Sequence, residues 1–211
     1  RFTVRWAESC EKMAALDPAI LVQEFGPVID DSEEIQRRLI ATAKYLRWFR
    51  DEVVSRMNRG MNEREVLDDM TYPEEFNTLQ YMQPTYCAPE YIVRDLYREE
   101  NGWWDRNPTS LHPASLGEAG DAVLSAIEPS AVIRRAEQLR DEGKVQLAMH
   151  VIDLLVYAGT ATEEVLEARR LKAELCRLRS EEVKPYPSKG LYRASAIRLD
   201  EARTDWLGLF E

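Results

Sequence analysis

The sequence predicts a mainly α fold. It has a long central helix and a helical hairpin with a further helix behind it, and a short helix–strand unit comes before both. Three observations carry this. From Ile35 to Met57 apolar residues return every three or four positions, the period of a helix buried on one side. From Ile133 to Leu178 the same period recurs in three segments, broken at Gly143 and near Thr160. Between these regions, Pro89 to Asn101 reads as an amphipathic helix, with proline where a missing N–H costs nothing and Gly102 just past the end.

In residues 1–31, Trp6, Cys10, Met13 and Ala14 are spaced as on a helix, and Asp17-Pro18 ends it. Ile20-Leu21-Val22 is a short apolar run, expected as a buried strand, and Phe25-Gly26-Pro27 then breaks the chain. Asp31 followed by Glu34 opens the long helix like a capping box. Its first face is Ile35, Leu39, Thr42/Ala43, Leu46, Phe49, Val53 and Met57, and a second carries Ala41, Tyr45 and Trp48. Two stripes suggest cover on both sides, by the rest of the chain and by another molecule. A central helix within one domain satisfies the same pattern. Asn58-Arg59-Gly60 stops this helix, and Asn62 with Glu65 caps a short one running from Glu63 to Met70.

Residues 71–87 form an aromatic connector with Pro73, Pro84, Tyr72, Phe76, Tyr81 and Tyr86, too apolar for a solvated linker. It is expected to wrap a partner or its own domain. After the Pro89 helix, Trp103-Trp104-Asp105 and Asn107-Pro108 make a turn that puts two large aromatics beside a carboxylate. Read from the residues alone, tryptophan anchors this helix end in the core. Ala114 to Ala126 is a weak helix, interrupted by Gly117 and Gly120. The segments Ile133–Leu139 and Leu147–Leu155 flank Gly143, with small Ala148 at the crossing, and resemble one tetratricopeptide-like hairpin; one copy is not an array. Thr160 with Glu163 caps the third helix, whose Arg169, Arg170 and Lys172 read as a solvated face. The tail from Lys184 has two prolines and then Leu191 to Leu199.

The 211 residues allow one large domain, or one domain plus a piece of another. A net charge of −10 disfavours nucleic acid and anionic membrane, because such a surface repels phosphate. No apolar run has the length of a membrane span. Cys10, Cys87 and Cys176 have no metal-site spacing; they read as small structural thiols and lean toward a reducing, cytoplasmic setting. The chain starts at Arg1 and reads as part of something longer.

Few residues offer chemistry. His112 and His150 are isolated and expected to be structural, and no His-x-His or Glu-x-x-His spacing exists. There is no Gly-x-Ser-x-Gly elbow and no phosphate loop. Glu33-Glu34 and Asp68-Asp69 lie at helix ends, where acids are expected.

One long string is specific. Pro89-Glu90-Tyr91-Ile92-Val93-Arg94-Asp95-Leu96-Tyr97, then Gly102-Trp103-Trp104-Asp105, Asn107-Pro108 and Leu111-His112-Pro113, resembles the signature of the alkyl sulfatase dimerisation domain. Leu79-Gln80, Met82-Gln83-Pro84 and Tyr86 match the same family with extra residues inserted. The resemblance implies a helical dimerisation domain over residues 32–211. It makes residues 1–31 the C-terminal fragment of a metallo-β-lactamase domain. In that superfamily the last strand leads into a turn with a metal-binding His; here Phe25 occupies the place, and it has no lone pair to give. The chain is therefore expected to carry no catalytic or metal residue and no cofactor. Zinc and an alkyl sulfate-like substrate belong, on this resemblance, to the parent protein.

The function expected is that of a dimerisation scaffold, with Leu46, Trp48 and Phe49 at the middle of the long helix as homodimer anchors. Pro89, Glu90, Gly102, Trp103, Trp104, Asp105, Asn107, Pro108 and His112 are expected to be structural. Two other functions fit the residues. The domain could shape the substrate pocket of an active zinc-dependent sulfuric ester hydrolase through Tyr81, Tyr86 and Trp103, or it could be a helical-repeat adaptor that binds peptides.

Overall fold

The computed structural model describes residues 2–75, 81 and 83–201. Among these, nine α-helices and no sheet make up the regular structure, apart from one 3₁₀ turn and one isolated bridge. They form two units, Arg1–Leu111 and His112–Glu211.

In the first unit α2 (Ser32–Asn58) is the axis. Asp31 Oδ1 accepts from the backbone N–H of Glu33 and Glu34, at 3.0 and 3.2 Å, so two donors of the open helix end are satisfied. Packed on α2 are α1 (Thr3–Ala15) and α4 (Pro89–Asn101), and α3 (Glu63–Asp69) lies against α2 and α4. Asn62 and Glu65 cap α3 reciprocally. The core joins Ala7 and Cys10 of α1, Ile35 to Val53 of α2, Val66 of α3, and Val93 and Leu96 of α4.

Both stripes of α2 are accounted for inside this unit. Tyr45 is buried, and Ala41 and Trp48 pack on the same core as the first stripe. Helices on two flanks widen the buried arc beyond the ~100° that one neighbour covers. Trp48 and Phe49 meet edge to face at 5.1 Å, and Phe49 lies 5.9 Å from Tyr72.

Two local expectations are corrected here. The apolar run at 20–22 is not a buried strand. Leu21 and Ile29 exchange a single pair of antiparallel hydrogen bonds, of 2.8 and 3.0 Å, while Ile20 and Val22 are 61% and 75% exposed. Alternation along an extended segment explains it: Leu21 turns to the core, and its neighbours turn away from it. The cap of the helix that follows residue 160 is also displaced by two residues, as described next.

The second unit contains α5 (Leu116–Ala126), α6 (Pro129–Asp141), α7 (Val145–Val156), α8 (Glu163–Glu182) and α9 (Tyr186–Asp200). α6 and α7 form the expected hairpin, turning at Gly143 with φ +75°. Ala136 and Ala148 are fully buried where the helices meet. α8 lies against α6 and α7, and α9 folds back along α8. Thr162, not Thr160, caps α8 by accepting from Val165 N; the N–H of Thr160 donates to Asp121 Oδ1 at 2.9 Å. The glycines of α5 do not interrupt it. Gly120 is where its backbone meets that of Tyr157 and Ala158 at the end of α7.

Arg169 and Lys172 are buried, which corrects the solvated face expected for α8. α8 is covered by α7 on one side and α9 on the other, so too little of its circumference is left for solvent. Arg169 donates from Nε to Val156 O at 3.3 Å and from Nη2 to Ala158 O at 2.8 Å, capping the carbonyl end of α7. Lys172 Nζ pairs with Asp153 and lies 5.4 Å from the centre of the Tyr157 ring.

Burial pushes the Tyr72 hydroxyl up to about 12 and the Cys176 thiol up to about 11, from ordinary values of 10.0 and 9.0. Between pH 9 and 12 the folded chain therefore holds protons that the unfolded chain has lost. By linkage, stability falls as pH rises through that window. Thermal scans from pH 8 to 12 should show a falling melting temperature. A flat profile would contradict this burial.

Candidate interaction surface

The long family-like string folds into a turn that supports itself. α4 starts at Pro89 and ends at Gly102, whose φ of +79° suits glycine. The Asn101 side chain donates to Trp104 O, and Trp104 Nε1 donates to Asn107 O at 3.2 Å. Asp105 accepts from Asn107 N at 2.9 Å and from Ser110 Oγ at 2.8 Å. These two donors hold its carboxyl below the usual carboxylate range. Asn107 Oδ1 accepts from Thr109 N, and Pro108 opens the 3₁₀ turn Pro108–Leu111. Arg106, itself at φ +67°, reaches back to Gly60 O at 3.3 Å and to Asn101 Oδ1. Asp105 and Asn107 thus tie the turn internally, and Gly102 lets the chain leave the helix.

The tryptophans are not core anchors, contrary to the expectation. Trp103 is 72% exposed and Trp104 is 37% exposed. The turn closes on its own hydrogen bonds, so it has no need to bury an indole. His112 is exposed, as are Glu90 and Asn107.

At the other end of α4 lies a cavity of about 390 Å³. Tyr45, Leu46 and Phe49 of α2 and Ile92 of α4 line it, and Tyr81, Gln83, Thr85, Tyr86 and Cys87 of the connector complete it with Trp6 and Thr42. The Arg38 guanidinium lies 5.0 Å from the centre of the Tyr81 ring. Tyr81 and Tyr86 thus line one pocket, as the substrate-pocket alternative requires, but Trp103 does not. Leu46 and Phe49, 3% and 1% exposed, are not on an outer helix face that a second helix could cover directly. They belong to the cavity wall. Trp48 is half-buried against the core. Phe76, Leu79, Gln80 and Met82, which belonged to the expected connector, lie outside the described residues.

Phe25 is 77% exposed beside Gly26, whose φ is +117°. No group of three or more His, Cys, Asp or Glu placed to hold a metal occurs among the described residues. No described helix is long and apolar enough to cross a membrane. Sequence reasoning named Tyr81 and Tyr86 as pocket residues but missed the rest of the wall, because it comes from three separated segments. It also missed the buried role of Arg169, for which no local signal exists.

The profile of the family described as alkyl sulfatase dimerisation matches residues 62–202. The chain belongs to this family. The match takes in the connector, α4, the tryptophan turn and all the described part of the second unit. Among curated relatives, the chain is 25% identical over 126 residues to a linear primary-alkylsulfatase of a Pseudomonas species, covering 59% of this chain and 24% of that protein. It is 24% identical over 157 residues to an (R)-specific secondary-alkylsulfatase of Pseudomonas, covering 74% of this chain and 23% of the relative. The chain thus spans about a quarter of their length. A solved structure, the stereoselective inverting sec-alkylsulfatase Pisa1 from Pseudomonas, superposes with a TM-score of 0.82 at 22% identity. It covers 94% of this chain and 32% of that one. At that identity the likeness shows a shared fold. The family match agrees with the mainly α dimerisation domain that the sequence implied.

Proposed function

We propose that the chain is the dimerisation scaffold of a larger alkyl-sulfatase-like hydrolase of the metallo-β-lactamase superfamily, and that it pairs as a homodimer. The observation that carries this is the dimerisation-family match over residues 62–202. Residues 32–211 make up the dimerisation domain, and residues 1–31 are the end of the catalytic domain. Supporting the second assignment, Leu16, Ile20, Val22, Phe25 and Val28 are all more than half exposed, an apolar surface that a neighbouring domain would cover. The hydrolytic zinc centre and the alkyl sulfate site then belong to the remainder of the parent, with Phe25 in place of one ligand.

Sedimentation equilibrium at micromolar concentration tests the pairing. The expected mass is twice the 24.4 kDa of one chain. A helical species at the single-chain mass across the range would refute it. The same preparation, dialysed after loading with zinc, is expected to keep no stoichiometric metal and to release no sulfate from dodecyl sulfate above a buffer blank. Retained zinc together with turnover would move the catalytic centre into this chain.

A further inference from the structure

We infer that Trp103 of each protomer inserts into the aromatic cavity of a second copy, so that two identical tryptophan–cavity contacts anchor the dimer. The inference rests on the homodimer reading above and deepens it. Four observations lead to it.

Trp103 is 72% exposed on a turn that its neighbours hold through Asp105 and Asn107. A large apolar ring carried on a braced turn is the usual form of an interface anchor, because little backbone freedom is lost on binding. The cavity of about 390 Å³ has room for an indole and is walled by Tyr45, Leu46, Phe49, Tyr86 and Ile92. Trp103 and the connector side of the cavity both fall within residues 62–202, the part matched by a dimerisation profile. Within that range Tyr186 is as exposed as Trp103, but it lies in the second unit, whereas Trp103 shares the first unit with the cavity.

The fourth observation is geometric. Pro89 and Ile92 place the cavity at the start of α4, and Trp103 follows its end. Anchor and receptor thus stand apart by roughly the length of a 13-residue helix, ~20 Å. A tryptophan so far along the helix cannot fill its own cavity. A two-fold axis between the two features brings each onto its counterpart and closes the assembly at two copies.

Cys87 makes the contact testable, since it is one of the residues that line the cavity. In the full chain, Trp103→Cys, held at a concentration at least ~100-fold above the dissociation constant of the parent dimer so that the weakened pair still forms, is expected to give a covalent dimer on a non-reducing gel under mild copper-phenanthroline oxidation. The double variant Trp103→Cys/Cys87→Ser is expected to give none. Trp103→Ala, whose side chain is mostly exposed and so contributes little to the fold, is expected to keep full helicity and weaken dimerisation ~100-fold or more, two anchors being lost together. Trp103→Ala pairing as tightly as the parent overturns the inference and leaves the homodimer reading standing. Cross-linking that persists without Cys87 also overturns it. A parent chain that stays monomeric removes the homodimer reading and this inference together.

Discussion

Gly120→Val should dislodge α5 and cost the second unit about 3 kcal/mol or more, near the upper end of what forced overpacking usually costs. A Cβ built at Gly120 lies 2.5 Å from Ala158 N, 2.6 Å from Tyr157 C and 2.7 Å from Ala158 Cα. All three are backbone atoms at the end of α7, where Arg169 already holds the carbonyls of Val156 and Ala158. They cannot turn aside as a side chain tip can. If α5 lifts away instead, the bond from Thr160 N to Asp121 is lost, and with it the one from Gly159 N to Gly117 O. Even Gly120→Ala, which gains ~1 kcal/mol in helix propensity, is expected to destabilise. For a unit of this size the valine variant should melt roughly 10–20 °C lower in a circular dichroism scan. The matched control is Gly190→Ala in α9, where no heavy atom lies within 4 Å of the new Cβ. It should be neutral or stabilising by up to ~1 kcal/mol. A Gly120→Val chain that melts with the parent would refute the close approach of α5 and α7.

Asp153→Ala should cost ~3–5 kcal/mol, because it removes the carboxylate that pairs with the buried ammonium of Lys172. Lys172 is only 5% exposed, and Asp153 is the carboxylate paired with it. Lys172→Met is expected to cost less, since methionine keeps most of the packed stem and removes the charge. The double change Asp153→Ala/Lys172→Met should recover much of the loss, as buried pairs replaced by apolar groups often do. Chemical denaturation of the four chains gives the cycle. If the two single losses simply add in the double variant, the pair is not coupled and this account of the α7–α8 contact fails.

Much of the fold was legible because its signals are local. Asp31 and Gly60 bracket α2 as the sequence suggests, and the hairpin turns at Gly143 where it should. What escaped depends on partners distant in the chain. Arg169 and Lys172 look solvated when α8 is counted alone; they are buried because α9 returns along the same helix. The two glycines of α5 look like flaws in a helix until α7 is placed against Gly120. Trp103 and Trp104 were misjudged for a different reason. Hydrophobic character predicts the inside only on average, and a turn tied by Asp105 and Asn107 can present an indole to solvent. As to the candidate surface, the sequence named Leu46 and Phe49, but their place in a cavity wall needed the connector and α4 to be positioned.

The first core also bears on how such a protein can be recombined. Ala7 and Cys10 of α1 pack into the same cluster as Phe49 of α2 and Val93 and Leu96 of α4, and the carbonyl of Ala14 accepts from Gln36 at 2.6 Å. A crossover at residue 31 would exchange α1 for a stranger's helix while keeping the residues shaped to receive it. One at residue 62, where the family profile begins, would strip both α1 and α2 from α4. Chimeras between relatives should therefore tolerate a junction near Leu111, at the edge of the first unit, far better than one at either of those positions. By that reasoning α1 and the rest of the first core are constrained to be inherited together.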